Sequence, residues 1–432
     1  MKAVFKIIYS FLILPLLAAL FHAAGLFNKK VRKALLKRYH ILAEIKRWYL
    51  EDSKKKNVVL LHSSSMGEFE HIKPLIQRLK KNYNPKIIVT FFSPSGYENV
   101  KSYPGVNLFL YSPIDFVFVW KKIYKLLKPS LVIISKHDVW PNQIWTAEKM
   151  SIPVYLVNAS LSKKSSRGRP AVRFFLRYVY RSLTNIYAVS KEDETRFKEF
   201  FPKCSVSFAG DTKFDQVLIR KEMSADKKLL PKSWFKNSFV LLLGSVWPED
   251  TKHLLPAMNG LLERNIDLKI ILVPHDPNEK YIEELYQHFE HGSAALFTKN
   301  EPLKEQHVLI VDTIGILADL YKYADAAYVG GSFKQGIHNV MEPAVYGIPV
   351  LYGPHHKNSF EAVQLNQAGG GIVVTNHDEI TQVLSDLIDD SQKTDEAGRK
   401  AEEYTRQHCG ATDKLAAFWK ADFKQADAES AV

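Results

Sequence analysis

Short apolar runs that alternate with segments of helical spacing limit what this 432-residue chain can fold into. Unbroken β-branched runs separated by helices are typical of parallel strands that are covered by helices on both faces of a sheet. The runs form two series, and each series predicts one parallel sheet. The predicted strands are 57–62, 86–91, 107–110, 131–135, 154–157 and 186–189, followed by 239–243, 268–273, 308–311, 326–329, 350–352 and 372–374.

The two series predict an α/β protein with two Rossmann-like, doubly wound domains. The length agrees, because single hydrophobic cores stop growing beyond about 250–300 residues. Polar residues and lysines replace the alternation between Gly210 and Pro231, which places the domain boundary there. The predicted segments are an N-terminal membrane anchor (1–28), a first domain (29–212), a linker (213–232), a second domain (233–395), and a C-terminal amphipathic helix and tail (396–432).

The N-terminal segment from Val4 to Phe27 is almost entirely apolar and is long enough to cross a membrane. A cationic cluster follows it rather than precedes it, which favours an uncleaved anchor and keeps the following domain in the cytoplasm. A signal peptide cleaved at Ala23-Ala24-Gly25 is the alternative. The cluster consists of Lys29, Lys30, Arg32, Lys33, Lys37 and Arg38.

The net charge of +13 predicts an anionic partner. Nucleic acid is disfavoured as that partner, because the chain has no zinc-finger spacing and no RNA-binding aromatic pattern. The two cysteines are too few for a disulfide framework. No metal or cofactor is expected, since the sequence has no His-x-His, Cys-x-x-Cys or Asp-x-Asp pattern.

The stretch from Gly330 to Asn358 predicts a nucleotide site. A strand is expected to end before Gly330-Gly331-Ser332, and a helix to begin near His338-Asn339, so backbone N–H groups and a helix N-terminus would face a phosphate. Glu342, one turn into that helix, would accept hydrogen bonds from ribose hydroxyls. An ordinary tight turn with an acidic residue near a helix start is the alternative.

Glu68 follows the first predicted strand and has two interpretations. As a carboxylate at the start of a helix it stays ionised and is able to take a proton from an attacking hydroxyl. With Ser65 it also forms a Ser-x-x-Glu capping box, which explains the glutamate without catalysis. The local sequence favours the capping box.

Other strand ends carry further candidates for the same cleft between the domains. Gly244-Ser245 and Pro274-His275 follow two strands of the second series, where a phosphate would approach. His137, Asp138 and Trp140 follow a strand of the first series. Lys213 at the domain junction would meet an anion, or is a solvated hinge lysine.

Taken together, these motifs resemble the 3-deoxy-D-manno-octulosonic acid (Kdo) transferases of lipopolysaccharide synthesis. Any one motif is weak, but the ordered set runs through nearly the whole chain. The matches are the anchor, His62-Ser63 through Gly67-Glu68, Trp140-Pro141-Asn142, Asn158-Ala159 with Leu161-Ser162, Lys213-Phe214-Asp215, Val273-Pro274 and the stretch 330–358.

The resemblance implies a GT-B fold and an inverting, metal-independent transfer of Kdo from CMP-Kdo to a lipid A precursor at the cytoplasmic face of the inner membrane. It also implies that Glu68 is the general base, against the local preference for a cap. The residues assigned to the donor are Gly244, Ser245, Pro274, His275, Gly330, Gly331, Ser332, His338, Asn339, Glu342 and Asn358. Those assigned to the acceptor or the donor phosphate are Ser65, Gly67, His137, Asp138, Trp140 and Lys213.

The chain departs from the family pattern at three places. Lys136-His137-Asp138 stands where Glu-Thr-Glu is usual, Pro274-His275-Asp276-Pro277 where Pro-Arg-His-Pro is usual, and Ser160 where arginine is usual. Two other readings remain open: another GT-B protein, either a lipid glycosyltransferase or a sugar-nucleotide epimerase, and an exported two-lobed protein that binds an anion. The exported protein would require cleavage near residue 24.

Overall fold

The computed structural model describes residues 1–51, 57–100, 102–264, 267–289, 292–299, 303 and 306–424. The chain divides into two compact units, Met1–Gln216 with Cys409–Val432, and Val217–His408. The first unit therefore contains both ends of the chain. The predicted tail from residue 425 onward lies outside the described residues.

The first unit contains a seven-stranded sheet in the order β3-β2-β1-β4-β5-β6-β7. All neighbouring strands are parallel, and apolar side chains cover both faces of the sheet. The strands are β1 (Val58–Ser63), β2 (Lys86–Phe91), β3 (Leu108–Tyr111), β4 (Leu131–Ser135), β5 (Val154–Ala159), β6 (Asn185–Ala188) and β7 (Val206–Phe208).

Helices precede and connect these strands, and the last of them continues into the second unit. They are α1 (Lys2–Ile8), a π-helical turn (Tyr9–Ile13), α2 (Leu14–Phe27), α3 (Lys29–Glu51), α4 (Met66–Tyr83), α5 (Pro94–Asn99), α6 (Val117–Leu127), α7 (Pro141–Lys149), a 3₁₀ turn (Ser166–Gly168), α8 (Pro170–Tyr180), α9 (Lys191–Phe200) and α10 (Thr212–Ser224).

The second unit contains another parallel seven-stranded sheet, in the order β10-β11-β9-β8-β12-β13-β14. Its strands are β8 (Phe239–Val246), β9 (Leu268–Pro274), β10 (Ala294–Leu296), β11 (Val308–Ile310), β12 (Ala326–Val329), β13 (Val350–Tyr352) and β14 (Gly371–Val373). Its helices are α11 (Lys232–Phe235), α12 (Pro248–Arg264), α13 (Glu279–His288), α14 (Leu317–Leu320), α15 (Met341–Ala344), α16 (Phe360–Gln367), α17 (His377–Asp389) and α18 (Ser391–Gln407), with 3₁₀ turns at Phe297–Lys299 and Tyr321–Tyr323.

Two parallel, doubly wound sheets confirm the predicted fold class. Every predicted strand is present, with ends that differ by no more than three residues. The sequence analysis missed β7 and β10, because Ser207 interrupts the short apolar run of β7 and β10 begins with two alanines, which are not β-branched. The first part of the predicted linker is helical, because α10 begins at Thr212 and runs to Ser224.

The C-terminal segment is divided between the units. Helix α18 belongs to the second unit, whereas a last helix, α19 (Ala411–Phe418), packs against α4 in the first. The Asp215 carboxylate accepts hydrogen bonds from Gly410 N at 2.6 Å and from Thr412 N at 2.7 Å, which holds the start of α19. Trp419 beyond it is completely buried.

The N-terminal helix, Lys2–Phe27, is the one described helix that is long and apolar enough to cross a membrane, with a mean hydropathy of 2.3 in an 18-residue window. One of its faces packs on the first unit. The Tyr9 hydroxyl donates to Asp115 Oδ2 at 2.9 Å, and the Ser10 hydroxyl donates to Asn142 Oδ1 at 3.0 Å. Asp115 is completely buried and also accepts from Trp120 Nε1 at 2.8 Å, so the helix is held by a satisfied polar cluster.

Replacing Tyr9 with phenylalanine is expected to lower the free energy of unfolding by about 1–3 kcal/mol, the usual cost of leaving a buried hydrogen-bonding group short of a partner. The substitution removes one donor from Asp115 and leaves the ring in place. Chemical unfolding in detergent measures the change. Tyr39→Phe is the control, because its hydroxyl bonds His22 at an exposed position. Equal effects of the two substitutions would contradict a special role of the Tyr9–Asp115 bond.

Candidate active site

His62 is the next-to-last residue of β1 and connects β1 to β2 and to the loop after β4 at the carboxyl edge of the first sheet. It is completely buried, and its Nε2 donates to Asp138 Oδ2 at 2.9 Å, while its Nδ1 lies 2.9 Å from Thr90 Oγ1 on β2. Burial alone would raise the pKa of Asp138, but the hydrogen bond and charge of His62 hold that pKa below its ordinary value. The Asp138 carboxylate, which follows β4, is therefore ionised at neutral pH.

Glu68 lies in the first turn of α4 and is mostly buried, with 7% of its surface exposed. Its Oε2 accepts from Ser64 N at 2.7 Å, and its own N–H faces Ser65 Oγ at 3.5 Å. This is the geometry of a cap. In the part of the chain that the structure describes, Oε1 has no hydrogen-bond partner. One oxygen therefore holds the side chain in place, and the other is available to a hydroxyl.

A group of charged side chains lies near Glu68 in the first unit. Partial desolvation lowers the pKa of His137, and the charges of Arg167 and Lys136 lower it further, against the opposing effect of Glu68 and Asp138. Arg167 is held in place, because its Nη2 donates to the Ser160 carbonyl at 2.8 Å. Arg167, Lys136 and Glu68 therefore all act electrostatically on His137.

Lys213 lies beside Asp211 in the structure. Its Nζ is 3.5 Å from Asp211 Oδ2, and His71 Nδ1 is 3.8 Å from Oδ1 of the same carboxylate. Burial would raise the pKa of Asp211, but Lys213 and His71 hold it below its ordinary value. Lys213 is thus ion-paired, which differs from the solvated hinge lysine that was the alternative.

Trp140 packs on apolar groups. Its ring lies 4.9 Å from that of Phe92, and both line a very small cavity of about 10 Å³ whose other walls include Leu14 and Phe21 of α2. Arg38 also lines this cavity and donates to the carbonyls of Ser112 and Phe92. The loop that carries His137 and Asp138 therefore connects to the N-terminal helix through Trp140.

In the second unit, Asp250 organises the loops after β8 and β12. Its Oδ2 accepts from Trp247 N and from Gly331 N, both at 2.8 Å, and its Oδ1 accepts from the Tyr328 hydroxyl at 3.0 Å. Gly330 N donates to the Gly244 carbonyl at 2.9 Å. The prediction that the N–H groups of Gly330 and Gly331 face a phosphate is therefore wrong, because groups of the same unit already accept them.

The glycines at 330 and 331 are required by close approach and by backbone conformation. A Cβ at Gly330 would overlap the Ser245 carbonyl, and Gly331 has a φ of +92°. Ser245 itself has a φ of +54°, in the left-handed region that non-glycine residues rarely adopt. Such conformations cluster at functional sites. The loops after β8 and β12 thus lie directly against each other.

Three aromatic rings stack at this edge of the second sheet. The His275 ring lies 4.2 Å from that of Trp247 and 4.5 Å from that of His338. Trp247 Nε1 donates to His338 Nε2 at 2.9 Å, so this nitrogen is unprotonated. Burial, with a contribution from His275, lowers the pKa of His338 to about 4. The stack brings together the loops after β8, β9 and β12.

The neutral state of His338 makes stability depend on pH. The unfolded chain protonates this histidine near its ordinary pKa of 6.5, whereas the folded chain does so near 4. The contribution of neutral His338 to the free energy of unfolding is therefore fully present above pH 6.5 and is lost as the pH falls towards 4. When the pH falls from 7 to 4.5, the free energy of unfolding of the unsubstituted protein should decrease. We expect the decrease in His338→Gln to be smaller by about 1–2 kcal/mol.

Denaturant unfolding at the two pH values measures this difference. His377→Gln is the control, because it removes a largely exposed histidine of the same unit. A pH dependence that is unchanged in His338→Gln would contradict the assignment of a neutral His338.

The remaining predicted donor residues have structural partners. Ser332 is completely buried, and its hydroxyl accepts from Gly353 N at 2.6 Å. Asn339 Oδ1 accepts from Met341 N at 3.1 Å, Arg220 Nη1 donates to Glu342 Oε1 at 2.6 Å, and Asn358 lies against Gly336. Gly244 lies two residues before the end of β8, Pro274 ends β9, and Gly67 is the second residue of α4 in the first unit.

The helix predicted to begin near His338-Asn339 begins at Met341 and has only four residues. Gly331 and Gly336 have φ values of +92° and +102°, which keep the preceding loop irregular, and Gly347 at +78° follows the helix. Glu342 is therefore its second residue and does not lie one turn inside it. The expected helix N-terminal phosphate site is not formed there.

Sequence reasoning missed four residues that shape the two edges. Asp250 and Trp247 stand in a motif that was recognised, but their partners come from β12 and β9. Thr90 and Arg167 carry no local signal, since each acts on a residue distant in sequence. Among the described residues, no group of three His, Cys, Asp or Glu side chains is arranged to hold a metal ion.

The two Rossmann-like sheets, with polar loops at the carboxyl edges of their central strands, define a GT-B protein. A putative UDP-N-acetylglucosamine 2-epimerase from Listeria monocytogenes has a similar fold, with a TM-score of 0.60 and 13% identity over 86% of this chain and 97% of that chain. Identity this low shows the fold alone.

Sequence comparison gives the family. Residues 36–216 match the model of the 3-deoxy-D-manno-octulosonic-acid transferase (kdotransferase) family. A 3-deoxy-D-manno-octulosonic acid transferase from Aquifex aeolicus is 31% identical over 350 residues, 80% of this chain and 90% of its own. One from Chlamydophila psittaci is 28% identical over 340 residues, 77% of each chain. The chain therefore belongs to the Kdo transferase family, and it is a glycosyltransferase of lipopolysaccharide synthesis.

This result confirms the family resemblance and decides against an epimerase and against an exported binding protein. The apolar helix Lys2–Phe27 agrees with membrane association, which lipopolysaccharide synthesis requires.

Proposed function

We propose that this protein transfers Kdo from CMP-Kdo to a phosphorylated lipid A precursor of the lipid IVA type, with inversion, at the cytoplasmic face of the inner membrane. Family membership supports Kdo as the transferred sugar. Kdo, CMP and a phosphorylated lipid are all anions, which suits a chain with a net charge of +13. The cationic segment that follows the apolar helix supports a cytoplasmic position.

The observation that carries the proposal is the geometry of Glu68. Its Oε2 is held by Ser64 N–H at the start of α4, and its Oε1 is available. In the reaction, Oε1 takes the proton of the acceptor hydroxyl as the hydroxyl oxygen attacks the anomeric carbon of Kdo. The bond from that carbon to the CMP phosphate oxygen breaks on the opposite face, so CMP leaves with the bonding electrons and the configuration inverts.

Two cations near His137 have a separate role in this proposal. The charges of Lys136 and Arg167 lower the pKa of His137, so this histidine is neutral at neutral pH and the two cations carry the positive charge. Lys136 and Arg167 would offset the negative charges of the incoming acceptor phosphate and the Kdo carboxylate. These residues coincide with two places where the chain departs from the family pattern. Lys136 and His137 stand where Glu-Thr is usual. Arg167 Nη2 bonds the carbonyl of Ser160, the position where arginine is usual.

For the donor we propose the carboxyl edge of the second sheet. His275 is exposed at the centre of the aromatic stack and Ser245 lies beside it on β8. A flat aromatic surface binds a base or a sugar face, and the small loops after β8 and β12 admit a phosphate. The framework of those loops completes the proposed donor site. Its residues are Gly330, Gly331, Asn339, Glu342 and Asn358.

A transfer assay in detergent tests the function. CMP-Kdo is generated in situ, the acceptor is a tetraacylated, bisphosphorylated lipid A precursor, and products are identified by mass. We expect the acceptor to gain one or more Kdo masses. A matched acceptor without phosphates should react more slowly. Absence of transfer by a folded protein that binds CMP would reject this acceptor, and absence of CMP binding would reject the donor.

A further inference from the structure

The face of the N-terminal helix that points away from the first unit is apolar and exposed. Tyr9, Leu14, Ala18 and Gly25 are buried on its inner side. On the outer side the exposed fractions are high, as for Phe11 at 79%. The other large outer side chains are Val4, Ile7, Ile8, Leu12, Leu16, Leu20, Leu26 and Phe27. A narrow face of this helix is therefore adapted to protein, and the larger remainder is adapted to an apolar environment.

The inner face carries polar groups that are bonded to the first unit. Lys2 Nζ donates to both oxygens of Glu148 at 2.5 and 2.7 Å, in addition to the bonds of Tyr9 and Ser10 described above. A helix that crossed a bilayer would place its whole circumference in hydrocarbon and would lose these bonds. It would also leave the buried carboxylate of Asp115 short of a donor, which is costly.

Two other helices of the first unit extend the apolar face. Phe5 of α1 contacts Phe174 of α8 with ring centroids 5.5 Å apart, and Phe174 and Val172 are exposed. Val117 and Phe118 at the start of α6 are exposed close to Asp115, which binds Tyr9. Within the described residues, the large exposed apolar side chains that lie outside these helices and α3 are Met223, Ile314, Phe360 and Phe418.

The same two helices carry cationic side chains, which are attracted to the phosphates of an anionic membrane surface. On α6 and at its end these are Lys121, Lys122, Lys125 and Lys128, and on α8 and at its ends they are Arg169, Arg173, Arg177 and Arg181. The combination of an apolar face with flanking cations is typical of proteins that lie in one leaflet.

We propose that helix Lys2–Phe27 lies along one leaflet of an anionic bilayer and does not cross it, with Val117, Phe118, Val172 and Phe174 inserted beside it. The N-terminus then lies on the same side of the membrane as the two Rossmann-like units. This inference rests on the membrane association in the proposed function. It makes the membrane contact a surface of the first unit, not a separate anchor.

The side of the N-terminus is tested by cysteine labelling. Ala3→Cys is introduced into a Cys204→Ser, Cys409→Ser background, and sealed membrane vesicles are treated with a membrane-impermeant maleimide. Lys228→Cys, at an exposed position of the second unit, marks the side of the catalytic units. We expect both cysteines to react in the same vesicles. Reaction of Ala3→Cys only from the opposite side, or only after detergent is added, would overturn the proposal.

Insertion of the neighbouring helices is tested separately. Phe118→Cys and Phe174→Cys are labelled with a fluorophore and mixed with vesicles that contain phosphatidylglycerol. A nitroxide-labelled lipid in these vesicles is the quencher. We expect quenching at both positions and none at Phe360→Cys, an exposed control in the second unit. Equal signals at all three would exclude this docking face. Kdo transfer in detergent does not depend on the bilayer, so failure here is distinguishable from failure of the proposed function.

Discussion

Replacing Glu68 with glutamine is expected to lower the rate of Kdo transfer by about 10²–10⁴-fold, the usual contribution of a general base. Glutamine cannot take the proton of the acceptor hydroxyl. Its amide oxygen still accepts from Ser64 N, so the cap of α4 is kept. The loss should therefore appear in the rate of the chemical step, with CMP binding and the midpoint of thermal unfolding unchanged.

Two further variants separate catalysis from capping. Glu68→Ala removes both roles and should also cost about 1 kcal/mol of stability, as the loss of a helix cap does. Glu70→Gln changes a carboxylate two residues along the same helix, where it pairs with Lys73, and should leave the rate close to normal. A Glu68→Gln protein that transfers Kdo at the normal rate would show that Glu68 is only a cap.

Replacing Asp250 with alanine is expected to lower the free energy of unfolding of the second unit by about 3–5 kcal/mol. The substitution leaves Trp247 N, Gly331 N and the Tyr328 hydroxyl without their acceptor, and each unsatisfied buried donor costs about 1–3 kcal/mol. The loops after β8 and β12 would then lose their common support. CMP binding should weaken even where the protein remains folded.

Denaturant unfolding and titration with CMP measure the two effects. Asp378→Ala is the matched control, because its carboxylate is 87% exposed in the same unit and should change stability by less than about 0.5 kcal/mol. Similar values for Asp250→Ala and Asp378→Ala would show that Asp250 does not hold the loops. Unchanged CMP binding by a destabilised Asp250→Ala protein would place the donor elsewhere.

The strands were the most predictable part of the fold. Strands β2, β4, β12 and β13 have the predicted limits, because an unbroken apolar run in a doubly wound protein records burial on both faces. Strands β7 and β10 give no such run, because Ser207 interrupts the first and two alanines begin the second. The short helix α15 was misplaced because glycine conformation at Gly331 and Gly336 ends the regular pattern, and glycine alone does not reveal the sign of φ.

The candidate site was predictable as a set of motifs and not as a set of contacts. Glu68, His275 and His338 were recognised from their places after strands. The partner of His62 at Asp138 and the Trp247–His275–His338 stack come from separate loops, so no local spacing contains them. Ser332 was assigned to the donor, but its hydroxyl is used within the protein.

The amino-acid sequence by itself determined the fold class, the family and the presence of a long apolar N-terminal helix, because each is recorded in periodicity or in ordered local motifs. Only the tertiary structure decided which polar groups remain available. Glu68 Oε1 is free among the described residues, whereas the N–H groups of Gly330 and Gly331 are not. Hydrogen bonds between distant segments satisfy buried groups, and those pairings exist only after the sheets have formed.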